Sequence, residues 1–302
     1  MTEQKIDAQS WLMLAALSLI WGGSFFFVGV AVKELPALLI VFARVGLAAL
    51  ILVPLHLVLI GPLPRDRRTW IACGTMSILN NVLPFTAIAW GQHSIASGLA
   101  SVINATTPMF AALFMALFSL EAITQRKAFA LGMGFIGVIV LKGGNFGDLG
   151  AQTLGIIAVI FASACYGLSA AWSKVRLQGI APMTIATCQL IVSSLVMAIL
   201  SLLFSDVRLY AGISLPTLAA LLMIASLSTA IAYLIFFRII ARAGPSFVSL
   251  VTMLVPVTAI LLGVLLLGET LSLHEIVGAL IIGGALVVID GRALRWVGLK
   301  LA

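Results

Sequence analysis

The chain has 302 residues, of which 62% are hydrophobic and 9% charged, with a formal net charge of +7. Soluble domains carry about 25% charged residues, so a water-soluble fold of this size is excluded and lipid is the solvent its surface calls for. The basic excess does not point to nucleic acid, because the lysines and arginines are scattered through short loops and form no patch.

A helix crosses the roughly 30 Å of hydrocarbon with about 20 residues, and the polar and Gly/Pro-rich breaks predict ten such spans. The first ten residues, MTEQKIDAQS, are mixed in charge, and the run at 11–31 is too long for a signal peptide, so it reads as a retained anchor. Trp21 is central in that span, with Ser24 one turn on. The span at 37–60 holds Arg44, the one charge well inside a span, roughly 10 Å below the interface. A centred arginine costs at least about 2.5–3.5 kcal/mol. It either pairs with a substrate carboxylate, or snorkels to the interface or bonds helix-end carbonyls in a structural role.

The third span, 70–91, carries Asn80 and Asn81 side by side, about ten residues from either end and so roughly 15 Å deep. Each carboxamide makes up to four hydrogen bonds, and leaving them unmade costs several kcal/mol. Adjacent helical residues point about 100° apart, which suggests that one amide lines a cavity and the other bonds a neighbouring helix. The alternative is that both are interhelical glue. Pro84 predicts a kink that frees backbone carbonyls nearby. Trp90 lies near the span's end as a belt residue or a cap over the outer mouth.

Span 96–119 leads to Glu121, a turn or gating residue, and to the short fifth span, 127–142. There GMGFIG spells a nucleotide-binding pattern but follows no strand, so close helix packing explains it. Spans 153–173, 183–204, 215–237, 246–267 and 273–290 follow. They carry Tyr166, Gln189, then Ser228, Thr229 and Tyr233 at mid-depth, with Glu269 in the last turn as a second turn or gating residue. The aromatic residues can wall a cavity or simply pack. The three cysteines lie in apolar runs as small buried hydrophobes, and no cluster of metal ligands or catalytic groups appears at one depth.

With the N-terminus in the cytoplasm, thirteen lysines and arginines fall inside, among them Lys5, Arg292, Arg295 and Lys300. Three fall outside: Lys33, Lys142 and Arg208. This asymmetry supports both the span count and the orientation, with both termini cytoplasmic. Trp11, Trp70 and Trp296 sit at predicted interfaces.

The chain also repeats itself. At a constant offset of 148, Ser101 matches Ser249, Pro108 matches Pro256 and Glu121 matches Glu269; WGGSFF (21–26) matches YGLSAA (166–171) at an offset of 145. The offset of 148 sets Asn80 against Ser228, Asn81 against Thr229 and Phe85 against Tyr233. The expected halves are residues 1–146 and 147–302, each of five helices. Five is odd, so the second half is inverted. Inverted repeats place a site at the midplane between halves that exchange access.

These features together, the WGGSFF…VAVKELPALLIVFARVGLAAL opening and the mid-helix proline followed by GE, make the chain resemble the EamA branch of the drug/metabolite transporter superfamily. The resemblance covers nearly the whole chain, except that Leu120-Glu121 replaces GE in the first half. It implies an all-α polytopic protein of a bacterial inner membrane, with ten helices around a central cavity. It implies a small-molecule substrate, with amino acids, including aromatic ones, among the family's cargoes. The candidate cavity residues are Asn80, Asn81, Ser228, Thr229, Tyr233, Trp21, Ser24, Tyr166 and Arg44; Trp90, Glu121 and Glu269 are candidates for the mouths and gates. No cofactor or metal is expected, the oligomeric state stays open with a monomer among the options, and no acid at mid-depth marks ion coupling. Amides, hydroxyls and one arginine suit a neutral or zwitterionic cargo. A membrane enzyme or an assembly factor is the competing class.

Overall fold

The computed structural model describes residues 7–144 and 150–291. Lys5, Arg292, Arg295, Trp296 and Lys300 lie outside the described residues. Within them the chain is all helical: α1 (Ala8–Ala31), α2 (Ala37–Leu59), α3 (Arg67–Gly91), α4 (Ser97–Leu117), α5 (Gln125–Leu141), α6 (Ala151–Arg176), α7 (Pro182–Phe204), α8 (Leu215–Ala243), α9 (Val251–Leu267) and α10 (Leu273–Asp290). Eight of these are long and apolar enough to cross a membrane. The other two, α5 and α9, have 17 residues each, the lower bound for a span. The ninth predicted span began at 246, but the chain there forms a separate short turn, Pro245–Val248, before α9.

The outer surface is what lipid requires. Leu50, Val58, Leu215 and Leu273 are each more than 70% exposed, a pattern water would not tolerate over so many helices. Inside, α1 packs on α8 and α9, while α6 packs on α3 and α4; α2 lies along α7 and α5 along α10. Helix packing accounts for two glycines of GMGFIG: a Cβ on Gly137 would strike Ile282 and the carbonyl of Gly278 on α10, and one on Gly134 would strike Met109 of α4. Small residues there let the backbones touch.

Several helix starts are capped locally, because the first turn leaves N–H groups without partners. Asp7 accepts from Ser10 N at 3.0 Å, Asp66 from Thr69 N at 2.7 Å and Thr124 from Lys127 N at 3.3 Å. Ser272 and Glu275 form a capping box on α10. Helix α4, like α2 and α7, lacks such a cap: its N-cap, Ala96, has no side chain able to accept.

Both α3 and α8 widen in the middle to a π-helical turn, Ile78–Val82 and Ser226–Ile231. The sequence predicts a proline kink at Pro84. The structure instead puts the wide turn just ahead of it, with the Leu83 N–H bonding back to Ile78 O. Pro84 has no N–H to give Asn80 O, and its ring crowds that carbonyl, which disfavours a regular α-turn at this point. Helix α8 reaches the same turn without proline, through hydroxyls: Thr229 Oγ1 donates to Ile224 O at 2.9 Å and Ser226 Oγ to Leu222 O at 2.6 Å.

Candidate functional site

The two π-turns bring the predicted polar pairs to the middle of the bundle, and π-bulges concentrate at functional positions. Asn80 and Asn81 point to different neighbours. Asn80 keeps partial exposure and accepts from Ser169 Oγ on α6 at 3.2 Å. Asn81 is wholly buried and donates from Nδ2 to Ser193 Oγ on α7 at 2.8 Å. Ser193 passes its own proton to Gln189 O, at 2.5 Å, and sits 2.9 Å from Ser77 Oγ. That chain requires the Asn81 amide nitrogen to face Ser193. Its Oδ1 is left buried with no partner, a group that normally finds one.

Across the bundle, Ser228 is buried and donates to Ile20 O on α1 at 3.0 Å, while Thr229 is buried and accepts from Arg44 Nε at 3.2 Å. Three of the four expected mid-depth wall residues, Asn81, Ser228 and Thr229, are therefore spent on helix contacts. The partly exposed groups at this level are Asn80, Arg44, Tyr166 and Tyr233. The Arg44 guanidinium lies 3.6 Å above the Phe85 ring. Phe85 meets Tyr166 edge-on at 6.5 Å, and Tyr233 stacks on Phe237 at 6.0 Å while its hydroxyl accepts from Gln189 Nε2 at 3.3 Å. Thus α2, α3, α6, α7 and α8 together supply amides, hydroxyls, aromatic faces and one cation. No ion pair among the described residues involves Arg44.

Trp21 sits beside Phe236 of α8 at 5.5 Å, with partial exposure, and Ser24 is buried on α1. Trp90 is 49% exposed at the end of α3, outside the cluster. Phe85, Ser169, Gln189, Ser193 and Phe237 belong to the cluster although the sequence reading did not place them among its site residues. Three had a signal there: Phe85 occupies the register of Tyr233, Gln189 that of Arg44 and Ser169 that of Ser24.

The two glutamates lie at opposite ends of the bundle in matching backbone turns. Glu121 N–H bonds to Met115 O at 3.1 Å and Glu269 N–H to Gly263 O at 3.0 Å. Their side chains differ. Glu269 accepts from Ser97 N at 2.7 Å, Ser97 Oγ at 2.9 Å and Gly98 N at 3.2 Å. It is the missing cap of α4, where a carboxylate also meets the positive end of the helix dipole. Gly263 is needed there, since a Cβ would meet the Glu269 carboxylate. Glu121 instead pairs with nearby Lys127, which holds its carboxyl below the usual range. At the Glu269 end, Glu34 similarly accepts from Ser214 N at 2.8 Å and from its hydroxyl at 2.5 Å, tying the α1–α2 turn to the start of α8. The surface pocket beside it, about 520 Å³, lies away from the mid-depth cluster.

A family model described as the EamA-like transporter family matches residues 9–142 and again 153–289. The chain is 27% identical over 162 residues to an uncharacterized inner membrane transporter, YedA, of Escherichia coli K12, covering 53% of this chain and 52% of the relative. It is 27% identical over 163 residues to the uncharacterized transporter YvbV of Bacillus subtilis, covering 54% and 53%. An uncharacterized transporter of Archaeoglobus fulgidus is 23% identical over 187 residues, covering 62% and 65%. The chain thus spans about half to two thirds of the length of the curated relatives it matches. A solved structure titled only as the crystal structure of a protein aligns with a TM-score of 0.66 over 96% of this chain and 99% of its own, at 16% identity; that likeness concerns the fold alone.

Proposed function

This chain belongs to the EamA-like transporter family, and from that premise we propose that it is a secondary transporter that exports small neutral or zwitterionic metabolites by alternating access. Amino acids, aromatic ones included, are the first candidates. The observation that carries this reading is the mid-depth cluster around Arg44, Asn80, Tyr166 and Tyr233, built from five helices in a bundle with a lipid-compatible surface. Its chemistry is one cation, amides, hydroxyls and aromatic rings, which suits a zwitterion better than a polyanion.

Alternating access needs two related halves, and paired details support them. The π-turns begin at Ile78 and Ser226, at the offset of 148 found in the sequence. Gly22 of α1 lies against Thr258 and the Val255 carbonyl of α9; Gly167 of α6 lies against Phe110 and the Ala111 backbone of α4. Gly22 and Gly167 are paired at an offset of 145, and Phe110 and Thr258 at 148. The halves are residues 1–146 and 147–302, of five helices each and inverted. The asymmetry of basic residues and the name of the Escherichia coli relative support a bacterial inner membrane with both termini cytoplasmic. In that orientation Glu269 closes the outer end, and Glu121, its counterpart, leaves the inner end unlatched. We take the cargo to move without strong ion coupling, since no acid stands at mid-depth.

The test is counterflow in proteoliposomes loaded with a survey of metabolites that includes all common amino acids. At least one amino acid should exchange above protein-free vesicles, with rates little changed by a pH gradient. Flux of no member of the survey would refute the transport reading; strong dependence on the gradient would refute the uncoupled one.

A further inference from the structure

We propose that Arg44 is a preorganised anchor for a carboxylate on the transported molecule, so that the cargo is a monocarboxylate with an apolar or aromatic body. The inference rests on the transport reading and adds the group that selects the cargo. A guanidinium within the membrane is costly, and a structural one would spend its fork on an acid or on helix-end carbonyls. Arg44 does neither. Its Nε donates to Thr229 Oγ1 at 3.2 Å, and its flat face lies 3.6 Å over Phe85. Both supports are buried and fixed: Thr229 and Phe85 are 1% and 7% exposed, and Thr229 has its own proton committed to Ile224 O. With its plane and one N–H held, the guanidinium keeps both Nη groups without a hydrogen bond or ion pair among the described residues.

Snorkelling is also excluded by the partners, which belong to the middle of α3 and to the π-turn of α8. A planar fork with two free donors matches a carboxylate bidentately. One guanidinium with no lysine beside it is a weak match for a phosphate dianion. The remaining surroundings are Tyr166, Tyr233 and the Gln189 amide, which offer ring faces to an apolar body and hydroxyls to a second polar group. The anchor draws on α2 and α3 on one side and α8 on the other, so a bound carboxylate would bear on both halves of the bundle.

The experiment is equilibrium binding to purified full-length protein in detergent. The probes are amino acids and simple monocarboxylates, each paired with its own amide. At least one acid should bind, and its amide at least tenfold more weakly. Arg44→Gln should erase the acid-over-amide preference, weakening the acid at least tenfold more than its amide. Arg44→Lys, which keeps the charge but not the flat fork, should retain only part of it. Equal binding of acids and amides by the native protein, or binding of no acid, overturns the inference. So does an Arg44→Gln protein that keeps the preference, or one that loses acids and amides alike. Because counterflow judges transport by itself, a cargo without a carboxylate would sink this inference and leave the transport reading standing.

Discussion

The two adjacent asparagines divide their work. Asn81 is sealed between α3 and α7 and holds Ser193, while Asn80 keeps accessible surface beside Ser169. Losing a buried hydrogen bond and its packing costs about 1–3 kcal/mol, so Asn81→Ala should lower the thermal midpoint in detergent by several degrees. Asn80→Ala should change the counterflow rate with little loss of stability; the reverse order of effects would contradict the assignment. The depth and polarity of the pair were legible in the sequence, because carboxamides in an apolar run stand out. Which one keeps exposure was not, since it depends on helix rotation and on the wide turn that shifts the register between them. Arg44 was legible as a costly charge, but its supports, Phe85 and Thr229, lie in other helices. At the surface, Asp7 is held at about 2, below its ordinary 3.8, first by the Ser10 hydroxyl and then by Arg242. A depressed folded value contributes stability above the unfolded one and loses it as pH falls through the folded one. The Asp7 contribution should therefore fade between pH 3.8 and about 2, and Asp7→Asn should remove that part of the acid dependence of the thermal midpoint.

At the scale of the helix, what matters is how ends and middles are satisfied. Spans were readable from hydropathy because an apolar run of the right length has few alternatives in lipid. The π-turns were not, because the hydroxyl bonds that widen α8 are a choice among local partners. The cap on α4 was equally hidden, as Glu269 is far from Ser97 in the chain and only the helix packing joins them. That contact is a latch between the α9–α10 turn and α4. Glu269→Gln keeps the shape but loses the charge on the helix N-terminus, so it should loosen that end. Reaction of Ser24→Cys, in a background free of the native cysteines, with a membrane-impermeant maleimide applied from the Glu269 side should rise several-fold. Glu121→Gln should not raise it. Equal reactivity in the two variants would show that Glu269 holds nothing shut.

For the whole molecule, the two matches of one family model, the paired π-turns and the paired glycine crossings all fit halves that rock about a polar centre. The length and spacing of the runs foretold most of the bundle. They overstated α9, where the separate turn Pro245–Val248 takes up the start of the span expected at 246–267. The mid-depth cluster was the least legible feature, since its side chains are brought together from five helices. The central claim is that the two ends of the bundle open in alternation. Its most direct measurement is pairwise spin-label distance in lipid vesicles, with one pair at His93 and Thr270 and the other at Ala122 and Ala241, all exposed and related by the same offset. With the exchanged amino acid present, the first distance distribution should lengthen as the second shortens. Both pairs moving in the same direction, or neither moving while counterflow proceeds, would contradict the account.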